Sequence, residues 1–201
     1  MTTARDLAIV ALDVATDKPV EQGDLSLALA AAEVFDLVEA KALVLDGDRI
    51  LPSAQSPTGD RLLDEAAAAL VRREPYESVE DWLWRRGRGL SAAYVDDLER
   101  VGLTARPRGR RIPLRTGRSV LVDSAARSAA EERRAAGEPV LAALAAAAGI
   151  GAEPPEIPEE LAGDTATTVL AAVGNAVMEL EAVRQRRQIE DAAFDNVWRG
   201  Y

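Results

Sequence analysis

The sequence predicts a mainly helical domain broken by two short β-hairpins. Three observations predict it. Apolar residues recur at helical spacing in most segments between turn signals. Alanine, the strongest helix former, dominates several of those segments. Only two stretches, ALVLDGDRILP and LTARPRGRRIPLRTGRSVLVD, read as paired strands around a glycine turn. With 201 residues, 48% hydrophobic and 29% charged, the chain can bury one substantial core.

ARDLAIVALD carries apolar residues densely enough for a buried helix, and TDKPVEQG after it is a turn-rich loop. Asp24 is placed to cap the next helix, LSLALAAAEVFDLVEAK, because a carboxylate can accept the orphan amides of a first turn. Two short β-rich runs flank Asp46-Gly47-Asp48, where Asp-Gly supplies the positive φ of a tight hairpin. SAQSPTGD is a loop, with Thr58-Gly59-Asp60 as a turn plus N-cap rather than a phosphate cradle, since Asp60 stands where an anion would bind. It leads into the helix DRLLDEAAAALVRRE.

Ser78 and Asp81 stand at capping-box spacing and start the next helix. On it Val79, Trp82 and Leu83 should face the core, leaving Glu80, Trp84 and Arg88 on another, exposed face. SAAYVDDLERVG is a short helix stopping at Gly102. In the arginine-bearing ribbon that follows, Gly109 takes the turn and Pro113 makes the second strand an edge. DSAARSAAEERRAAG and PVLAALAAAAG are two more helices, and GAEPPEIPEE is an acidic, proline-rich connector. A last long helix has a packing seam at Val169, Val173, Ala176, Leu180 and Val183. Residues 1–183 are read as the helical domain and 184–201 as a helical extension that loses the seam and projects, frays or pairs with another subunit.

The chain contains no cysteine and no histidine. Disulfides, thiolate zinc sites, Cys or Ser-His nucleophiles and histidine acid-base chemistry are thereby excluded. Carboxylates, Lys18, Lys41, arginines and hydroxyls remain, with the carboxylates scattered along helical periods. The expectation is a protein that is not an enzyme and holds neither cofactor nor metal. The longest apolar run, VLAALAAAAGI, is far short of the roughly 20 residues a membrane span needs. MTTARDLAIVALD makes a poor signal peptide.

Net charge is −10, but it is unevenly spread. The window from Arg85 to Arg118 holds ten arginines against three acids, a balance of +7, which leaves −17 on the remainder. A single basic segment thus stands on an acidic body. That balance and the lack of a recognised motif argue against nucleic acid as a partner.

The order of pieces, a helix ending ALD, a helix ending in LVLDGDRI, then SPTGDRLLDEA, SVEDWLWRRGRGL, a helix to a GLT turn and an arginine ribbon, resembles the GPP34 family, the Golgi phosphoprotein 3 group, in one of its bacterial forms. The resemblance runs from about Asp6 to Val183. It implies a helical bundle ringed by amphipathic helices with two short β-hairpins. It also implies a peripheral membrane protein on the cytoplasmic face. Eukaryotic members bind phosphatidylinositol 4-phosphate in a basic pocket, and link membranes to cargo enzymes and a myosin. That pocket uses a tryptophan, an arginine and a later pair of arginines. Carried over, the later pair falls on Arg88 and Ser91, the earlier arginine near Ala30 and the tryptophan near Glu21, so one of the four is retained.

The candidate lipid- or anion-binding residues are therefore Trp84, Arg85, Arg86 and Arg88, with Arg106, Arg108, Arg110, Arg111, Arg115 and Arg118 on the ribbon. Near an anionic leaflet each arginine could contribute up to about 1 kcal/mol. The bland readings are that Arg85, Arg86 and Arg88 complement a helix dipole, and that the ribbon arginines form a solvated edge that blocks strand pairing. The expected partners are an anionic membrane lipid and an unidentified protein. The alternative function is a protein-protein scaffold whose arginine hairpin makes a homo-oligomer.

Overall fold

The computed structural model describes residues 2–14, 20–53, 56–105, 120–151 and 163–199. Its elements, in chain order, are α1 (Thr3–Asp13), α2 (Gln22–Glu39), β1 (Leu43–Asp46), β2 (Arg49–Pro52), α3 (Arg61–Ala68), α4 (Val79–Arg86), α5 (Leu90–Arg100), β3 (Thr104–Ala105), β4 (Val120–Leu121), α6 (Ala125–Ala135), α7 (Pro139–Ala147) and α8 (Asp164–Arg199). The mainly helical expectation holds, with two antiparallel strand pairs, β1–β2 and β3–β4.

α2 is the axis of the bundle. From Leu27 to Ala32 every side chain is buried, as are Val34 and Leu37, because neighbours cover this helix on all sides. α1, α3, α4, α5, α7 and α8 all pack on it. Its run of small alanines lets those neighbours approach closely. α1 is docked end-on: beside its own Thr2 cap, its first amides at Thr3 and Ala4 donate to the Asp36 carboxylate of α2 at 2.7 and 3.0 Å. A side chain from another helix thus completes the cap that α1 cannot provide alone.

The β1–β2 hairpin closes with Asp46 opposite Arg49, so Gly47 and Asp48 form a two-residue turn with Gly47 at φ +58°. Asp60 caps α3 by accepting from the amides of Leu62 and Leu63, and Ser78 caps α4 by accepting from Asp81. α7 starts with Pro139 in its first turn and Glu138 as the cap.

Four expectations need correction. α2 begins at Gln22, and Asp24 lies in its first turn, where Arg184 of α8 holds it at 2.7 and 3.0 Å instead of leaving it to cap. α3 ends at Ala68, because beyond Leu70 the residues Val71 to Pro75 are all exposed and have no apolar face to bury. Trp84 is half-buried rather than exposed, since α8 packs over α4. The seam of α8 is buried at Val169, Val173 and Ala176 but has opened by Val183, which is 36% exposed.

The 183/184 boundary falls inside α8, which runs unbroken to Arg199. The acidic connector at 153–160 and the ribbon turn at Gly109 and Pro113 lie outside the described residues. Only the base of that ribbon, Thr104 opposite Leu121 and Ala105 opposite Val120, is described.

A candidate anion-binding groove where α2, α4, α5 and α8 meet

The sequence RRGRGL turns the chain from α4 into α5 with two glycines that do different work. Gly87 lies against α2: a Cβ there would sit 2.5 Å from the Leu83 carbonyl oxygen and 3.4 Å from that of Ser26. Gly89 adopts φ +70°, a backbone conformation that costs a residue with a Cβ, and serves as the N-cap of α5. The amide of Ser91 then donates to Ser26 Oγ at 3.1 Å and ties the start of α5 to the start of α2.

This corner walls a groove of about 260 Å³. Gln22, Gly23, Ser26 and Leu27 line it from α2, Trp84, Gly87, Arg88, Gly89, Ser91 and Ala92 from the corner, and Leu180 from α8. The floor is largely apolar, and the positive character comes from three sources. The first turns of α2 and α5 both border the groove, and neither N-cap residue, Glu21 or Gly89, makes a side-chain cap bond. The positive ends of two helix dipoles therefore border it, although the first amides of α5 are already used, Leu90 donating to the Gly87 carbonyl and Ser91 to Ser26 Oγ. Arg88 is the third source; it is exposed and makes no ion pair or hydrogen bond among the described residues. Glu21, exposed ahead of α2, is the nearest opposing charge in sequence, while Asp24 is neutralised by Arg184.

The other two arginines of the cluster are already engaged. Arg85 donates to both oxygens of Glu77 at 2.6 and 2.7 Å and to the Ala69 carbonyl at 3.1 Å. Its guanidinium also lies 5.2 Å from the centroid of the Trp82 ring, within cation–π range. Arg86 points inward. It binds Glu33 through two hydrogen bonds of 2.7 and 2.8 Å and the Leu62 carbonyl through a third of 3.1 Å, and it is only 16% exposed. Glu33 is 0% exposed and also accepts from Tyr94 Oη at 3.2 Å. Burial pushes the Glu33 carboxyl up to about 7 even though Arg86 and Tyr94 pull it down. Burial likewise raises Asp36 to about 6, against the two amides it accepts.

Of the sequence candidates, the structure brings Trp84 and Arg88 together at the groove and sends Arg85 and Arg86 elsewhere. Arg106, Arg108, Arg110, Arg111, Arg115 and Arg118 lie outside the described residues. Ser91 lines the groove beside Arg88. Ala30 is fully buried in α2, its carbonyl accepting from Trp82 Nε1 at 3.1 Å, so a long cationic side chain there would have to enter the packed core.

Two polar clusters escaped the sequence reading. One is Glu33–Arg86–Tyr94. The other is Asp97, almost fully buried, which collects Arg5, Arg61 and Arg100 and so joins α1, α3 and α5. Burial works against that carboxylate, but the hydrogen bonds from Arg100 and Arg61 bring it below its ordinary range. A signal for the first cluster was present: Glu33 and Asp36 interrupt AAAEVFDLVE, where an acid can be buried only with a partner. Among the described residues no three acidic side chains gather as a metal site would require.

A family model for Golgi phosphoprotein 3 (GPP34) matches residues 4–193. The chain belongs to the GPP34 family. No curated protein matches it. The match covers nearly the whole described domain, including every residue that lines the groove and most of α8. By length and composition α8 could cross a membrane between Asp164 and Asp191. In this GPP34 domain, however, its Val169, Val173 and Ala176 are buried against the bundle.

Proposed function

We propose that this GPP34 protein is a peripheral membrane adaptor without catalytic activity, which binds anionic lipid head groups through the groove at Arg88 and the arginine ribbon beyond it. The observation that carries the reading is the convergence of an unpaired arginine with the positive ends of two helices on one groove. Such an arrangement suits a phosphate oxygen, because the guanidinium can donate to it and both helix dipoles favour its negative charge. Family membership supports the same reading, since the Golgi phosphoprotein 3 group is linked to phosphoinositides. Half-buried Trp84, with Leu27 and Leu180, gives the groove an apolar wall suited to the glycerol end of a lipid.

Arg88 is the single cation of the four-residue phosphoinositide pattern retained here, with Ser91, Ala30 and Glu21 at the other places. The binding is accordingly electrostatic and weakly selective among anionic lipids, and it falls as salt rises. The test is co-sedimentation with vesicles of neutral lipid, of phosphatidylserine, and of phosphatidylinositol 4-phosphate, at low and physiological salt. The parent binds both anionic vesicle types at low salt, and Arg88→Glu weakens this several-fold. Reversal of Arg108, Arg110, Arg111 and Arg115 to glutamate removes the remainder. Binding that survives both sets of reversals would overturn the assignment of this face.

A further inference from the structure

α8 has two faces, and one of them is bare. Val169, Val173 and Ala176 are buried against the bundle, with Leu180 continuing that side. On the opposite side lie Ala171, Met178, Ala182, Gln185 and Ile189, all exposed, with Met178 at 70% and Ile189 at 69%. From Met178 onward they follow steps of four, three and four, the repeat along which a second helix packs. Met178 and Ile189 are the two large apolar side chains that this stripe holds out in water. Glu179 and Arg186 flank the stripe on the same side, seven residues and about 10 Å apart along the axis. Neither makes an ion pair among the described residues.

We infer that α8 pairs antiparallel with α8 of a second copy of this chain, across a two-fold axis. Antiparallel packing in this repeat sets Met178 against Ile189 of the second copy and Ala182 against its Gln185, and symmetry makes each contact twice. The same register brings Glu179 beside Arg186 of the second copy, again twice. Two ion pairs thus close over the stripe that holds the two exposed apolar side chains. A parallel pairing would have to use Glu181 opposite Arg186, but Glu181 is already engaged by Arg184 at 3.3 Å and Gln185 at 3.1 Å within its own chain. It would also stack Gln185 on Gln185. The charge pattern therefore selects the antiparallel arrangement. The face is separate from the groove, so the dimer displays two grooves and gains avidity on any surface that both can reach.

The experiment is sedimentation equilibrium of the full chain over a wide concentration range, with far-UV circular dichroism as the check on folding. The mass rises from 21.4 kDa toward twice that value. Glu179→Arg alone, or Arg186→Glu alone, weakens association by about tenfold or more, and the combined swap returns it to within about threefold of the parent. All these side chains are exposed, so the variants keep the parent's helix content. Because the chain has no cysteine, register can be read directly. Mixing a Met178→Cys protein with an Ile189→Cys protein yields a disulfide-linked dimer under mild oxidation, and Ile189→Cys alone does not. A monomer at every concentration overturns the inference. So does a dimer indifferent to the α8 reversals, including one that breaks when the ribbon arginines are reversed, and so does efficient cross-linking of Ile189→Cys alone.

Discussion

Replacing Arg86 with alanine separates the two roles an arginine in the RRGR corner can have. The guanidinium makes three hydrogen bonds, two of them to a Glu33 carboxylate with no solvent exposure. Deleting one member of a buried, hydrogen-bonded ion pair leaves the other uncompensated and typically costs about 3–5 kcal/mol. For a chain of this size that is a fall in Tm of about 6–20 °C, since each kcal/mol shifts the midpoint by about 2–4 °C.

The loss should also depend on pH in a predictable direction. Glu33 already sits at about 7 with Arg86 lowering it; without Arg86 it rises further. At pH 8 the variant must either keep a buried charge or protonate against the bulk, at about 1.4 kcal/mol per unit of difference. At pH 5.5 the carboxyl is neutral in the variant, and the deficit shrinks toward the lost hydrogen bonds and packing. Urea unfolding of parent, Arg86→Ala and Arg88→Ala at both pH values measures this. Arg88→Ala should stay within about 0.5 kcal/mol of the parent, as exposed substitutions do, while weakening vesicle binding. An Arg86→Ala protein as stable as the parent but unable to bind vesicles would refute the division of labour.

Two further predictions come from the same geometry. Glu33 and Asp36 have folded-state pKa values raised from 4.5 to about 7 and from 3.8 to about 6. The folded chain therefore holds more protons than the unfolded one between those limits, and the contribution of both groups to stability is full below about pH 4 and lost as pH rises to about 7. Asp97 and Asp64, lowered, act oppositely at the acid end, their contribution fading as pH falls below the ordinary carboxylate range. Stability should peak in mildly acidic solution and decline toward pH 7.5, which urea midpoints across pH 4–8 would reveal; a steady rise over that range would contradict the burial argument. Gly87→Ala puts a Cβ 2.5 Å from a backbone oxygen, so it should cost about 2 kcal/mol or more and disturb the groove. Gly23→Ala meets mainly the mobile end of Leu180 at 2.7 Å and should cost less; thermal melts of the pair compare the two directly.

The fold was readable wherever a local rule governed it. Ser78 and Asp60 cap their helices, Gly47 turns its hairpin, and Val79, Trp82 and Leu83 face inward, because capping and periodicity act over a few residues. Reading failed where a distant partner decided the outcome. Asp24 had the composition of a cap, but Arg184, 160 residues away, holds its carboxylate. Trp84 had an outward phase on its helix, but α8 covers that phase. Arg85, Arg86 and Arg88 were indistinguishable as letters in one run, and their acids, Glu77 and Glu33, come from a loop and from the core helix. For the site, the corner and Arg88 were legible from RRGRGL and the family pattern, whereas the contribution of α2's first turn and of Leu180 depends on how helices far apart in sequence meet.

The same contrast changes what a basic stretch means on an acidic body. Carboxylates are numerous enough here to claim most well-placed arginines: Arg5, Arg61 and Arg100 converge on Asp97, Arg133 on Asp6, Arg127 on Asp13 and Asp123, and Arg184 on Asp24. Most of these pairs fasten one helix to another across the bundle, and each of these arginines is held by an acid of the chain's own. Arginine density therefore overstates the functional surface, and the informative cations are those the fold leaves without an acid. Arg88 is one, at a groove where two helix N-termini add to its field. Arg186 is another, and the acid that matches it by spacing, Glu179, lies seven residues away on the same helix face, beyond its own reach but within reach of a second copy. Reversing either charge should leave the melting temperature near the parent value, because neither holds the bundle together; what each reversal removes is an encounter, with a lipid surface in one case and with another copy of the chain in the other.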